Sequence, residues 1–165
     1  MKKFLLAIFT FIIFNSIIFT STTHAQDSDF VQIVDIGAVR FLNHMRGIAS
    51  DFEFADVQKT SDDFNLPGDP LHAWISIFGK EKVQGSLIFF VNGDGYVSTI
   101  GITGDDEILE RIINAALICV GLTDSEIDSL KNSKDEMQNV FCSNMHRRIF
   151  IDRKSNSVLI FATGE

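Results

Sequence analysis

The sequence contains few of the residues that build irregular or heavily cross-linked proteins. Its 165 residues include 2 Pro, 2 Cys, 1 Trp and 1 Tyr. This composition excludes a collagen-like or proline-rich chain, and two cysteines exclude a small domain held by several disulfides. Positive charge is also scarce, because 14 Lys and Arg against 22 Asp and Glu give a formal net charge of −8. An acidic chain argues against duplex nucleic acid as a partner, since phosphate contacts require Lys and Arg.

Apolar residues, in contrast, make up 45% of the chain, and 16 of them are phenylalanine. A share of this size is typical of a globular protein, and the length suits one domain. After residue 25 the sequence shows no repeat, no low-complexity stretch and no linker. We therefore expect a single domain over residues 26–165.

The first 25 residues have the pattern of an export signal. A basic start at Lys2 and Lys3 precedes the apolar run Phe4–Phe19, and the small residues of Thr23-His24-Ala25 fit a signal-peptidase site. The run is shorter than the roughly 20 residues of a membrane-spanning helix, although an uncleaved anchor is the alternative. We expect cleavage before Gln26 and export to the periplasm or the medium. Cleavage would change the formal net charge from −8 to −10, since both leader charges are positive.

Both cysteines, Cys119 and Cys142, lie after the predicted leader. An even number of cysteines in an exported chain predicts a disulfide, which would stabilise the fold by about 3 kcal/mol. Two buried free thiols are the alternative. The wide spacing and the lack of a nearby CxxC do not fit a zinc site. We expect no metal and no cofactor.

The hydrophobic pattern predicts an α+β domain. A helix is expected over Phe30–Met45, an edge strand over Asp51–Asp63 and a turn over Leu66–Pro70. The central strands are Leu71–Phe78, Val83–Val91 and Tyr96–Thr103, and the final hairpin is Arg148–Asp152 with Ser157–Thr163. Asn92-Gly93-Asp94-Gly95 is a strong hairpin turn, and short links of this kind imply an antiparallel meander.

Two further helices are predicted between the meander and the final hairpin. The first follows Asp105 and ends before Gly121, a residue suited to the left-handed C′ position. The second begins with the capping box Thr123-Asp-Ser-Glu126. We leave the polar stretch 131–139 without an element. The whole pattern predicts an antiparallel sheet, formed by the meander and the C-terminal hairpin, that an N-terminal helix and a central helix cover mainly on one face.

The first central strand carries the most informative alternation. Leu71, Ala73, Ile75 and Ile77 share one face, and His72, Trp74, Ser76 and Phe78 share the other. We expect the helices to cover the uniformly aliphatic row. The second row mixes aromatic rings with hydrogen-bonding groups and is interpreted as a partner or ligand surface. The alternative is that other parts of the chain bury this second row.

A second candidate surface is acidic. Asp51, Glu53, Asp56, Asp62 and Asp63 are accompanied by Lys59 alone in that stretch. Such a run either keeps the protein soluble or binds a basic protein.

The sequence contains no serine-hydrolase, zincin, nucleotide-binding or EF-hand motif. We therefore expect a small exported acidic binding protein without catalysis. Inhibitors and immunity-type proteins, which neutralise a toxin or lytic enzyme, belong to this class. The alternatives are a small hydrolase or transferase that uses His72 with a carboxylate, and a small-ligand carrier that uses the Trp74 face. A protein partner is expected, with no nucleic acid and no membrane after cleavage.

The leader generates the first prediction. Exported protein should begin at Gln26, because the three-part pattern directs cleavage after Ala25. Intact-mass measurement of the exported material checks this. A mass that still includes Met1 to Ala25 would contradict cleavage and favour an anchored protein.

Overall fold

The computed structural model describes residues 30–66, 69–132, 135–154 and 156–163, so the predicted leader lies outside the described residues. The strands are β1 (Phe30–Val31), β2 (Glu53–Phe54), β3 (Gln58–Leu66), β4 (Asp69–Gly79), β5 (Val83–Val91), β6 (Val97–Gly104), β7 (Met137–Cys142), β8 (Arg147–Lys154) and β9 (Ser157–Thr163). The helices are α1 (Ala38–Ile48), α2 (Asp106–Val120) and α3 (Asp124–Lys131).

All described strands belong to one antiparallel sheet, in the order β2-β4-β5-β6-β9-β8-β7. β3 also pairs with β4, next to β2, and β1 pairs with the end of β9. The meander β4–β6 and the hairpin β8–β9 are joined because β6 pairs with β9. The predicted α+β class, the antiparallel sheet, the meander and the C-terminal hairpin are confirmed.

The three helices cover one face of this sheet. Their buried side chains form one continuous core with the strand side chains beneath them. The fully buried members with the largest side chains include Phe41, Met45, Leu87, Phe89, Ile102 and Ile112. An amphipathic helix must bury its apolar stripe, and the sheet face offers the matching surface. None of the helices in the described ranges is long and apolar enough to cross a membrane.

The N-terminal helix is shorter than predicted. The expected span was Phe30–Met45, but α1 begins at Ala38. Before the helix, Phe30–Val31 form β1 and residues 33–36 form a bend, where the Ile33 N–H donates to the Val97 carbonyl at 2.9 Å. The β-branched side chains between Val31 and Ile36 lower the helix propensity of this stretch, and β1 pairs with β9 instead of joining the helix.

One strand lies where the sequence predicted none. The polar stretch 131–139 includes the start of β7, which pairs with β8 from Met137↔Asp152 to Cys142↔Arg147 without a register shift. Its buried side chains are Gln138 and Cys142, whereas Met137 and Phe141 are exposed. A count of apolar residues does not reveal this strand, because the apolar Met137 and Phe141 are exposed whereas the polar Gln138 is buried.

The predicted C-terminal end of α2 and the predicted N-terminal capping box of α3 are confirmed. Gly121 follows α2 with a left-handed φ of 102°, and its N–H donates to the Ile118 carbonyl at 3.0 Å. The Thr123 backbone N–H donates to the Glu126 carboxylate at 2.7 Å, which completes the capping box. The same carboxylate accepts bonds from the backbone N–H and the hydroxyl of Ser143, at 3.0 and 2.6 Å. Glu126 therefore ties the start of α3 to the end of β7.

The Glu126 contacts generate a pH prediction. Hydrogen bonds from Ser143 first, and then from Thr123, lower the pKa of Glu126 from 4.5 to about 2. A lowered pKa means that the carboxylate stabilises the fold above pH 4.5 and that this contribution is lost as the pH falls toward 2. Glu126→Gln should lower the melting temperature at neutral pH and make its decline between these two pH values shallower. A thermal series across that range checks this, and parallel curves for variant and wild type would contradict it.

Candidate functional site

The two faces of β4 are arranged opposite to the prediction. Phe78 is fully buried and Trp74 packs against the core beneath the helices. Ala73 and Ile75 lie on the other face, in a separate cluster that contains, among the described residues, strand side chains only: Ile88, Phe90, Leu159 and Phe161. The expectation that the helices cover the aliphatic row is therefore wrong. Trp74 and Phe78 of the mixed row pack into the core that includes the helices, Ser76 is buried, and His72 is half-buried.

Phe78 explains this choice of face. Its ring lies above Gly85, the cross-strand partner, where an added Cβ would come within 2.4 Å of the ring. The ring also contacts those of Phe52 and Phe54, with centroids 6.4 and 5.8 Å away. A face between a sheet and helices must be filled by large side chains, because the layers lie about 10 Å apart. The aromatic row meets that requirement better than the aliphatic row.

The acidic stretch lies against the same strand, so the two candidate surfaces form one region. β2 pairs with the end of β4 through Glu53↔Gly79 and Phe54↔Phe78. β3 pairs with its first half and contains a register shift between Lys59 and Asp63. The Ser76 hydroxyl donates to the Ala55 carbonyl at 2.7 Å, in the segment between β2 and β3. Ser76 therefore fixes the acidic segment and is buried rather than part of a surface.

A groove opens where β2 meets the β4–β5 turn. We call it the turn groove; it is lined by residues 53–55 and 77–83 and has a volume of about 380 Å³. Phe54, Ile77 and Phe78 provide apolar lining. Val83 lies at the groove with 62% of its surface exposed. The charged lining residues are Glu53, Lys80, Glu81 and Lys82. Apolar lining with charged residues around it resembles the composition of a protein contact.

Asp51, near the groove, is bound by two cations. Its carboxylate accepts from the Lys80 ammonium at 2.9 Å and from the Arg111 guanidinium at 2.8 Å. These contacts, Lys80 first, lower the pKa of the Asp51 carboxyl. Both cations also lie over the Phe52 ring, 4.9 and 5.0 Å from its centroid. Asp51 therefore joins the β4–β5 turn to α2, and its charge is largely balanced within the molecule.

Asp56 forms an ion pair, whereas Glu53 forms none with the described residues. The Arg46 guanidinium, on α1, donates to Asp56 at 2.7 Å and to the Phe54 carbonyl at 2.8 Å. No ion pair involves Glu53 within the described part of the chain, and its side chain is exposed. The sequence predicted Lys59 as the single counter-charge. Sequence spacing did not identify Arg46, Lys80 and Arg111 as counter-charges, because they lie on α1, in the β4–β5 turn and on α2.

The three histidines of the described residues lie on different elements of the fold. His72 is half-buried and lies opposite Asp63 on β3 and Val91 on β5. His44 lies on α1, and His146 lies in the β7–β8 turn beside the Phe141 ring. No group of three or more metal-ligating side chains occurs among the described residues. A cross-strand His–Asp pair alone is insufficient for hydrolysis, which also requires a positioned nucleophile or activated water.

The predicted disulfide is not formed in the structure, where both cysteines are free thiols. Cys142, at the end of β7, is fully buried, and Cys119 on α2 is partly buried against the same core. Burial raises the pKa of the Cys119 thiol to about 12. Because the thiolate is the reactive form, this pKa makes Cys119 a poor nucleophile.

Comparison with known proteins found no matching family model, no matching curated protein and no matching solved structure.

The position of Trp74 generates a stability prediction. Trp74→Ala should lower the free energy of unfolding by about 3 kcal/mol, the lower end of the range for emptying a large aromatic site, because the ring is only partly buried. Val83→Ala is the matched control and should change stability by less than about 0.5 kcal/mol, since Val83 is mostly exposed. Urea unfolding of both variants measures this. Equal stability of Trp74→Ala and wild type would restore the surface interpretation of Trp74.

Proposed function

We propose that the protein is a small exported acidic binding protein, of the inhibitor or immunity type, that neutralises a basic protein partner. The partner binds at the turn groove and at the acidic residues around it. The observation that carries this proposal is the groove itself, because it combines apolar lining with charged side chains at one open end of the sheet.

Charge around the groove supports a basic partner. The Asp105 N–H donates to the Gln84 carbonyl, so the acidic start of α2 lies next to the start of β5. In the segments around the groove, residues 46–56, 79–84 and 105–111, the acidic side chains are Asp51, Glu53, Asp56, Glu81, Asp105, Asp106, Glu107 and Glu110. The basic side chains there are Arg46, Lys80, Lys82 and Arg111. An excess of acids around a contact steers basic proteins toward it and raises the association rate.

The paired residues divide this surface by role. Asp51 and Asp56 position the chain around the groove through ion pairs with Lys80, Arg111 and Arg46. Glu53 and Glu81 are exposed and form no ion pair among the described residues. Their charges are available to a partner without the loss of an internal contact. In the proposed complex these two carboxylates carry the electrostatic attraction, and Val83 supplies apolar contact area.

The experiment compares two charge reversals of equal size. Glu81→Lys lies in the β4–β5 turn, and Asp94→Lys lies in the β5–β6 turn at the opposite end of β5. Each variant, and the wild type, is immobilised and exposed to the exported-protein fraction of the source cells. A basic protein should bind the wild type and Asp94→Lys, and its affinity for Glu81→Lys should be at least about tenfold lower, because attraction becomes repulsion.

Salt provides the second measurement. Binding to the wild type should be lost in 1 M salt, where the Debye length is about 3 Å. Equal capture of the same basic protein by Glu81→Lys and Asp94→Lys would exclude the turn groove as the contact. Capture of acidic proteins alone, at any salt concentration, would contradict the proposed partner class.

A further inference from the structure

The two edges of the sheet differ in how they are protected. The edge at β4 is formed by β2, which has two residues, and by β3, which contains a register shift between Lys59 and Asp63. Its sequence also carries Glu53, Lys59 and Asp62. Short strands, irregular register and charged residues all prevent an edge from pairing with another chain. This edge therefore has three protective features.

The edge at β7 has none of these features. β7 pairs with β8 over six residues in continuous register, and no strand in the described part of the chain pairs with its other side. Its sequence, Met-Gln-Asn-Val-Phe-Cys, contains no Asp, Glu, Lys, Arg, Pro or Gly, although the protein carries 22 acids and 14 basic residues. Met137 and Phe141 are 46% and 43% exposed on the face away from the helices. An uncharged edge with exposed apolar side chains is suited to strand addition.

The edge is also held in place. Cys142 is fully buried beneath the helices, and Ser143 directly after it donates to Glu126 of α3. Arg148 on β8 donates to the Asn139 amide oxygen at 2.8 Å. A partner strand would meet a preformed edge, so little conformational entropy would be lost on binding.

We propose that β7 pairs with β7 of a second copy of this chain, antiparallel, around a two-fold axis at Asn139. Antiparallel pairing about such an axis keeps each face of the two sheets on the same side. The register that places Asn139 opposite Asn139 also places Met137 of one copy opposite Phe141 of the other. The exposed apolar side chains then cover each other across the joint, as favourable cross-strand pairs do. Centring the axis on Val140 would instead place Met137 opposite Ser143.

The charges that flank β7 favour the same arrangement. Asp135 and Glu136 precede the strand, and Arg147 and Arg148 begin β8 at its far end. Antiparallel pairing brings the acidic start of one strand toward the basic end of the other. β7 itself contains no charged residue, so its pairing adds no contact between like charges. This matters because each cleaved copy would have a formal charge of −10. A second copy thus provides apolar contacts for Met137 and Phe141 and opposite charges for the flanking residues. The turn grooves remain accessible at the opposite edges.

Mass measurement tests the dimer. The purified exported protein should have twice its chain mass by light scattering at about 100 μM, a concentration at which a micromolar Kd gives mostly dimer. Phe141→Lys should have the mass of one chain, because it places a charge against the partner strand. Val39→Lys is the matched control, since Val39 is 54% exposed on α1, and it should remain dimeric.

Cross-linking tests the register. Asn139→Cys should form a disulfide between two copies under mild oxidation, because directly opposed Cβ atoms lie about 5 Å apart. Lys59→Cys, on the protected edge, is the matched control and should not. A wild type with the mass of one chain would overturn the proposal. So would a dimer that persists in Phe141→Lys, or cross-linking of both cysteine variants to the same extent.

Discussion

The ring of Phe78 connects the parts of this molecule that the candidate site depends on. It lies above Gly85, and it contacts Phe52 and Phe54 from the segment that carries the acids. This aromatic contact brings β2 onto the end of β4 and so forms the turn groove. The position of Asp51 follows from it as well, because Lys80 and Arg111 reach both that carboxylate and the Phe52 ring. Apolar packing therefore places the charges, and the ion pairs then hold the segment in position.

The sequence predicts the elements that have strong local patterns. It does not predict conformations that depend on contacts between residues far apart in the chain. β5 was predicted with its observed bounds, and the ends of α2 and α3 follow from Gly121 and the Thr123 capping box. These features depend on residues within a few positions of each other. β1 was mistaken for part of a helix because its conformation is decided by pairing with β9, at the other end of the chain.

The choice of sheet face had a different cause. Both rows of β4 contain large apolar side chains, so period-two alternation identifies the two rows but does not indicate which one the helices cover. Gly85, opposite Phe78, could have indicated which face is covered, because a glycine beside a large ring marks where that ring packs. The turn groove was missed for a related reason. It exists only when residues 53–55 and 77–83 come together, and sequence spacing does not predict that contact.

The strand order has a consequence for when the fold can form. β9 lies between β6 and β8, and it also pairs with β1, yet it is the last of the described strands in chain order. The meander β4–β6 and the β7–β9 unit can each form from local contacts, whereas their junction requires Thr99–Thr103 to meet Ser157–Phe161. Pairing over such a sequence separation is slow because a long loop must close first. A chain that is threaded through a narrow passage from its N-terminus must therefore pass at least as far as Ser157 before its sheet can close.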